Sequence, residues 1–232
     1  MAGGGLMQLV AYGAQDVYLT GKPEITFFKA VYKRHTNFAT EAITQVFSGT
    51  ADFGKRVNCP IARNGDLISK MYLTCTLNDP VTNRTAGNEW AWVSQVGHAL
   101  IDTVELEIGG SKIDKHYGHW MNVWHNLTQR TGHYSGYGRM VGDLVENRSL
   151  ALKHGEVQLY VPLQFFCCRN NGLALPLIAL QYHDVRVNFE FAERSAVCNY
   201  RGVAPEVRMT NVELLVDTHF LDTDERKRFA QS

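Results

Sequence analysis

The side chains best suited to holding a metal ion are three histidines close together in the sequence, His116, His119 and His125. A protein zinc site needs several such ligands converging on one point. On a helix His116 and His119 share a face, but His119 and His125 lie six apart and point in different directions. No third ligand stands at a sensible spacing, and the chain has no close His-x-His pair of the kind that strand-borne metal oxidases use. These are read as loop or surface histidines, and no metal or cofactor is expected. Five cysteines, at 59, 75, 167, 168 and 198, are an odd number without CxxC spacing. That argues against both a disulfide framework and a structural zinc site. Cys75 reads as a buried thiol on the apolar side of a strand, behaving as a small hydrophobe. The adjacent Cys167 and Cys168 are placed at a strand end.

Other short patterns carry less. Gly136-Tyr137-Gly138 with Gly142 has GxGxxxG spacing instead of a dinucleotide fingerprint, and no strand-then-helix frame surrounds it. A tightly turned surface loop is the expectation there. Neither a GxxxxGK[ST] phosphate loop nor a GxSxG nucleophile elbow occurs. No catalytic residues are assigned, and the chain is not read as an enzyme. Three N-x-[ST] sequons stand at Asn83, Asn126 and Asn147. Asn83, inside the polar stretch 79–88, is the candidate glycosylation site because that stretch reads as an exposed loop. Trp90, Trp92, Trp120 and Trp124 admit three uses: a carbohydrate platform, core packing, or an anchor between subunits. Core or interface packing is the favoured reading.

Charge excludes some partners. The chain of 232 residues has 23 basic and 23 acidic side chains and no net charge. Gripping nucleic acid calls for a basic excess or a basic stripe, so no direct nucleic-acid contact is expected. The densest basic run, Arg226-Lys227-Arg228, is flanked by Asp222, Asp224 and Glu225 and reads as a solvated helix face. No apolar run approaches the ~20 residues that span a bilayer, so no transmembrane segment is expected. The longest candidate, 173–180, is broken by Pro176. The Gly-rich, uncharged start lacks the basic and apolar regions of a secretory signal. Met1-Ala2-Gly3 also misses the myristoylation pattern. The expectation is a chain made in the cytosol.

The elements that would position these residues are mostly strands. Met71, Leu73, Cys75 and Leu77 alternate with polar neighbours, as do Val104, Leu106 and Ile108 before a Gly109-Gly110 turn. The same period of two runs through Val157, Leu159 and Val161, then Val185, Val187, Phe189 and Phe191, then Val212, Leu214 and Val216. Pro162 belongs at a sheet edge or strand end, since it cannot donate to a ladder. Trp120, Val123, Trp124 and Leu127 follow i, i+3, i+4, i+7 and predict an apolar stripe on a short helix. Asp222 with Glu225 predicts a capping-box start to a second helix, running through Phe229. One-sided strands must bury their faces against each other, which predicts two packed antiparallel sheets. The pattern leaves jelly roll, immunoglobulin-like and other sandwiches open. Before the strands, residues 1–40 read as an extended arm, with Phe27, Phe28 and Val31 on one helical turn. An arm carrying so many large apolar side chains must lie on its own domain or on a neighbouring subunit.

Three long blocks carry a resemblance. They are MAGGGLMQLVAYGAQDVYLTGKPEITFFKAVYKRHTNFA at 1–39, VELEIGGSKIDKHY at 104–117 and GLALPLIALQYHDVRV at 172–187, with FLDTDERKRFAQ following at 220–231. Together they resemble the amino-terminal half of the major capsid proteins of nucleocytoplasmic large DNA viruses, of the algal-virus and iridovirus type. The resemblance implies an all-β fold, an antiparallel sandwich of jelly-roll topology that forms the first half of a double jelly roll, with short helices. It divides the chain into an arm at 1–40, a jelly roll at 41–218 and the start of a linker helix at 219–232. It also implies a structural virion protein, made in host cytoplasm, that builds an icosahedral shell by self-association into pseudo-hexagonal trimers. Its partners would be itself, as homotrimer and neighbouring capsomers, and minor capsid proteins. Leu6, Leu9, Tyr12, Tyr18, Phe27 and Phe28 are the arm residues expected to make assembly contacts.

Family members continue into a second jelly roll where this sequence stops at Ser232, which leaves a fragment or a shortened paralogue as alternatives. Three single jelly rolls would not supply six similar towers. The rival readings are a carbohydrate-binding jelly-roll attachment protein using Trp90 or Trp92, and a cupin-like metalloenzyme.

Overall fold

The computed structural model describes residues 36–81 and 84–231. In chain order the strands and α-helices are β1 (Phe38–Gln45), β2 (Arg56–Pro60), β3 (Leu67–Asn78), β4 (Trp90–Trp92), α1 (Val96–Ala99), β5 (Ile101–Ile108), β6 (Ser111–Tyr117), α2 (Gly118–Thr128) and α3 (Tyr134–Val141). They continue with β7 (Val157–Pro162), α4 (Phe166–Arg169), β8 (Leu175–Pro176), β9 (Val185–Phe191), β10 (Cys198–Tyr200), β11 (Arg208–Leu221) and α5 (Thr223–Gln231).

One sheet is ordered β1-β11-β3-β7, with β8 added to β3, and the second is ordered β2-β9-β5-β6. Every pairing is antiparallel. With the short β4, β8 and β10 set aside, successive strands pass between the sheets except at the β5–β6 hairpin, so that first and last pair in one and second and next-to-last pair in the other. That nesting is the jelly roll, and it separates this sandwich from the immunoglobulin-like alternative.

The alternation read in the sequence is the alternation that is buried. Met71, Leu73, Cys75 and Leu77 line the inner face of β3, opposite Val187 and Phe189 from the other sheet's inner face, and all are buried. Val104, Leu106, Leu159, Val161, Leu214 and Val216 join the same core. Phe47 closes it edge-on to Phe189 at 5.3 Å. The β5–β6 hairpin turns at Gly109-Gly110, and Pro162 ends the edge strand β7, both as expected. In β11 the register slips between Thr210 and Glu213, where Asn211 sits at φ 51°, and this bulge lets a fourteen-residue strand follow two partners. The strands also overrun the expected jelly-roll limits of 41 and 218, since β1 starts at Phe38 and β11 ends at Leu221.

Two helical segments depart from the sequence reading. The GxGxxxG stretch is the helix α3, where a turned loop was expected. Gly142 stops it at φ 77°, and the Asp143 N–H donates to the Gly138 carbonyl at 2.7 Å in a Schellman closure. The glycines punctuate a helix there and do not replace it. In α2 the helix is present but its faces are exchanged, because Gly118, Met121 and His125 are buried while Val123 and Leu127 face solvent. The cause is Gly118. A Cβ at this position would lie 2.1 Å from the His98 carbonyl oxygen and 2.2 Å from that of Ile101, so only glycine lets the helix start so close to the α1–β5 junction. That contact sets the helix's rotation: Val123 and Leu127 turn outward with it, while Trp120 stays packed against the core.

Gly142→Ala is expected to destabilise the domain by about 2–5 kcal/mol in urea denaturation, from left-handed strain of ~1–2 kcal/mol and overpacking of ~1–3 kcal/mol. The added methyl would lie 2.5 Å from Val96 Cγ1 and 2.8 Å from Leu159 Cδ2. A change below about 0.5 kcal/mol would remove the capping role.

Candidate functional site

The outward face of α2 stands on a column of rings. The His116 ring stacks on Phe165 at 4.5 Å and on Trp120 at 4.7 Å, and Trp120 stacks on Trp124 at 5.5 Å. The Arg169 guanidinium of α4 covers Trp124 at 4.4 Å from the ring centroid, a cation–π contact that also shields the indole from water. Trp120 and Trp124 are thereby held half-buried as a rigid base, with Val123 43% and Leu127 78% exposed beside them. The arrangement presents a fixed apolar helix face to solvent, the kind of surface that another macromolecule covers.

The three histidines first considered as ligands do not converge. His116 belongs to the ring column, His119 is exposed, and the His125 ring lies on Tyr137 at 3.7 Å. Among the described residues no group of three or more His, Cys, Asp or Glu is placed to hold a metal ion. Cys75 is buried as expected, and Cys167 and Cys168 lie in α4 just beyond the end of β7, their sulfurs 3.9 Å apart. Among the described residues no helix is long and apolar enough to cross a membrane.

The tryptophans divide. Trp90 and Trp92 pack edge-on at 4.8 Å and are buried, so the favoured reading of core packing holds for them and the rival reading that uses them to meet a sugar does not. Their position in the three-residue β4, inside a long insertion, gave no alternation to read. The polar stretch 79–88 is likewise more than an exposed loop. The Arg84 guanidinium and the Asp79 carboxylate meet at 2.8 Å with both side chains buried, and Arg84 also donates to the Val203 carbonyl. Asn83 itself lies outside the described residues, as do Leu6, Leu9, Tyr12, Tyr18, Phe27 and Phe28 of the arm.

A polar knot fixes where the chain leaves the sandwich. The buried Asp66 carboxylate accepts the Leu221 N–H at 2.7 Å through one oxygen and meets Arg226 Nε at 3.0 Å through the other. Beside it the His219 ring bridges Thr40 and Ser69, each at 2.8 Å, and so joins β1, β3 and β11. The basic run is a solvated helix face as expected, and Arg226 at its start also tethers that helix to the sheet. Asp222 stands just before α5 and accepts the Thr223 N–H at 2.7 Å, while Glu225 pairs with Arg228, so the helix starts where expected but with these contacts in place of the capping box. On the second sheet's outer face Glu105 draws Lys112, Lys115 and Arg56 to 2.7, 3.1 and 3.2 Å. The hydrogen bond from Lys112, above all, holds its carboxyl below the usual carboxylate range.

These features fall on a chain with clear relatives. Residues 26–222 match the family model described as "Major capsid protein N-terminus". The chain is 52% identical to the major capsid protein of Pyramimonas orientalis virus, over 99% of this chain and 56% of that protein. It is 48% identical to capsid protein 1 of Acanthamoeba polyphaga mimivirus, over 98% of this chain and 42% of that protein. A crystal structure of PBCV-1 VP54, fitted into a cryo-EM reconstruction of the virophage Sputnik, superposes with a TM-score of 0.71 at 39% identity. That superposition covers 89% of this chain and 48% of the other. The chain spans about half the length of the curated relatives it matches. Their descriptions are those of capsid proteins, not enzymes.

Asp66→Ala is expected to cost about 2–3 kcal/mol in urea denaturation, because it orphans a buried N–H as well as an ion pair. Arg226→Ala, whose side chain is more than half exposed, should cost under ~1 kcal/mol. Equal losses in the two variants would contradict the assignment of Asp66 as the centre of the knot.

Proposed function

Because the chain belongs to the major capsid protein family, we propose that it is a building block of an icosahedral virion shell, assembling with its own kind into trimeric capsomers. The observation that carries this reading is the outward apolar face of α2 on a domain whose core is already complete without it. Nothing in the sandwich needs Val123 or Leu127 for folding, and their exposure is relieved when a neighbouring copy packs there. Identical copies related by a closed rotation bury the same surface on every subunit, so one such face serves the whole ring. A stable contact of this kind buries upwards of ~1,000 Å² in total, more than one helix face offers.

The remaining area is assigned to the arm, residues 1–40, with Leu6, Leu9, Tyr12, Tyr18, Phe27 and Phe28 reaching neighbouring subunits or the inside of the shell. Residues 219–232 begin the link to a second jelly roll, and minor capsid proteins cover the inner surface. The knot at Asp66 supports that role for the exit, since it gives α5 a set direction relative to the sheets. Synthesis takes place in host cytoplasm and the working location is the capsid. Asn83 is retained as the candidate for glycan attachment.

Native mass spectrometry of the assembled protein should report trimers, and the double variant Val123→Asp, Leu127→Asp should yield monomers with an unchanged circular dichroism spectrum. Trimers formed undiminished by that variant would refute the α2 contact. Deleting residues 1–22 is expected to weaken assembly while leaving the sheets intact. Shells or trimers that form as well without those residues would remove the arm from the interface.

A further inference from the structure

Shell building makes no use of a second property of the helices α1, α2 and α3, which flank the β5–β6 hairpin in sequence. The three buried histidines among the described residues, His98, His116 and His125, all sit where these helices meet each other or the sandwich. His98 of α1 bonds through Nδ1 to Gln95 Oε1 at 2.9 Å and through Nε2 to the Tyr137 hydroxyl of α3 at 2.8 Å. The Tyr137 ring then lies face to face with His125 of α2, 12° from parallel. At the other end of this group His116 of β6 stacks on Trp120 of α2. Each helix is thus held through an imidazole.

The His98 contacts suit the neutral ring. A neutral imidazole has one N–H and one lone pair, so Nδ1–H donates to the Gln95 carbonyl oxygen and Nε2 accepts the Tyr137 hydroxyl proton. A second proton on His98 would force Tyr137 to accept, and its own hydroxyl hydrogen would lose its partner. The charged groups facing these helices are few. Asp143, after α3, favours protonation of His98 and His125, but its carboxylate is already shared between Ser94 at 3.0 Å and Arg148 at 3.6 Å. At His116 backbone hydrogen bonds with Lys115 and Gln164 and the Asp114 carboxylate, 3.8 Å away, favour a charge, and Arg169 opposes it. Tyr134, the remaining ring near His125, is 6.1 Å away.

Burial outweighs the carboxylates in each case. It pushes His98 down to about 4, with the neighbouring His125 adding to the effect, and it lowers His125 and His116 as well. A histidine whose folded value lies below its ordinary ~6.5 binds protons better when released. Its contribution to the closed state is complete above that pH and is lost as pH falls toward the folded value, by up to about tenfold per pH unit for each ring. On the second sheet the hydrogen bond from Lys112 holds the Glu105 carboxyl below the usual carboxylate range.

We propose that α1, α2 and α3 form an acid-releasable cap: protonation of the His98, His116 and His125 contacts frees these helices while the two sheets stay folded. Release would displace the α2 face, so acid would also alter what the domain offers to a neighbour.

Hydrogen–deuterium exchange of the full chain, corrected for the intrinsic pH dependence of exchange, tests this directly. Between about pH 6.5 and pH 4, peptides from α1, α2 and α3 should lose protection by tenfold or more while those from β3, β9 and β11 keep theirs. His125→Phe keeps a ring on Tyr137 without a titrating nitrogen, and His98→Gln keeps hydrogen-bonding capacity. Either variant that folds at neutral pH should shift the transition to lower pH by about half a unit or more. Loss of protection in cap and sheets together, or an unchanged transition in the variants, would overturn the proposal. Because the readout is taken on the unassembled chain, it stands apart from the outcome of the assembly experiments.

Discussion

The surface of this domain depends on the approach of the Gly118 backbone to the carbonyls of His98 and Ile101. A helix has one free rotation about its axis, and burial of the most apolar stripe would ordinarily choose it. Here a steric opportunity chooses instead. Only a residue without a side chain can enter the α1–β5 junction, and once it does, Met121 and His125 must follow it inward along the same helix face. Two indoles are left at the boundary and two aliphatic side chains beyond it. The stack of Phe165, His116, Trp120 and Trp124 under Arg169 is the accommodation of that outcome, shielding the indoles as far as local geometry permits.

Polar side chains complete what the apolar core leaves undetermined. Two packed sheets are indifferent to the direction in which the chain leaves them, yet Asp66 joins the end of β11 to the second turn of α5 with one carboxylate. The long connections are tied in a similar way, by Arg84 on Asp79 and by Arg63, which donates to the carbonyls of Leu180, Gln181 and His183 at once. A guanidinium has five N–H groups in a fixed plane, so one side chain can hold a whole turn against the sandwich. The loops are therefore anchored at charged points, while the strands between them are specified by periodicity alone.

That division explains what could be read beforehand. The strands were legible because alternation is local: Val185, Val187, Phe189 and Phe191 announce one buried face without reference to any partner. The sandwich class followed from it, and jelly-roll topology needed the family resemblance, because strand order is not written in period two. The helix at Trp120 was legible as a helix, but its rotation was not, since Gly118 matters only through backbone 17 to 20 residues earlier. The glycines of α3 read as loop because composition outweighs a weak period, and the cap at Gly142 becomes visible only beside Val96 and Leu159. Asp66 was passed over for the same reason, its partner lying 155 residues away in sequence.

One further consequence lies in the register of the first strand. Phe38 pairs with Leu221, so the strand that opens the sandwich begins beside the point where the last strand ends. Entry and exit share one corner of the domain, and the whole jelly roll hangs from that corner as a closed loop. A domain with this wiring can be set into a longer polypeptide like a bead, since the flanking chain arrives and departs at nearly the same place. Copying such a bead in tandem disturbs no strand pairing and asks only for a joint between copies. Duplication is then an easy evolutionary step for this topology, and the joint, more than either bead, is where new geometry between copies would be invented.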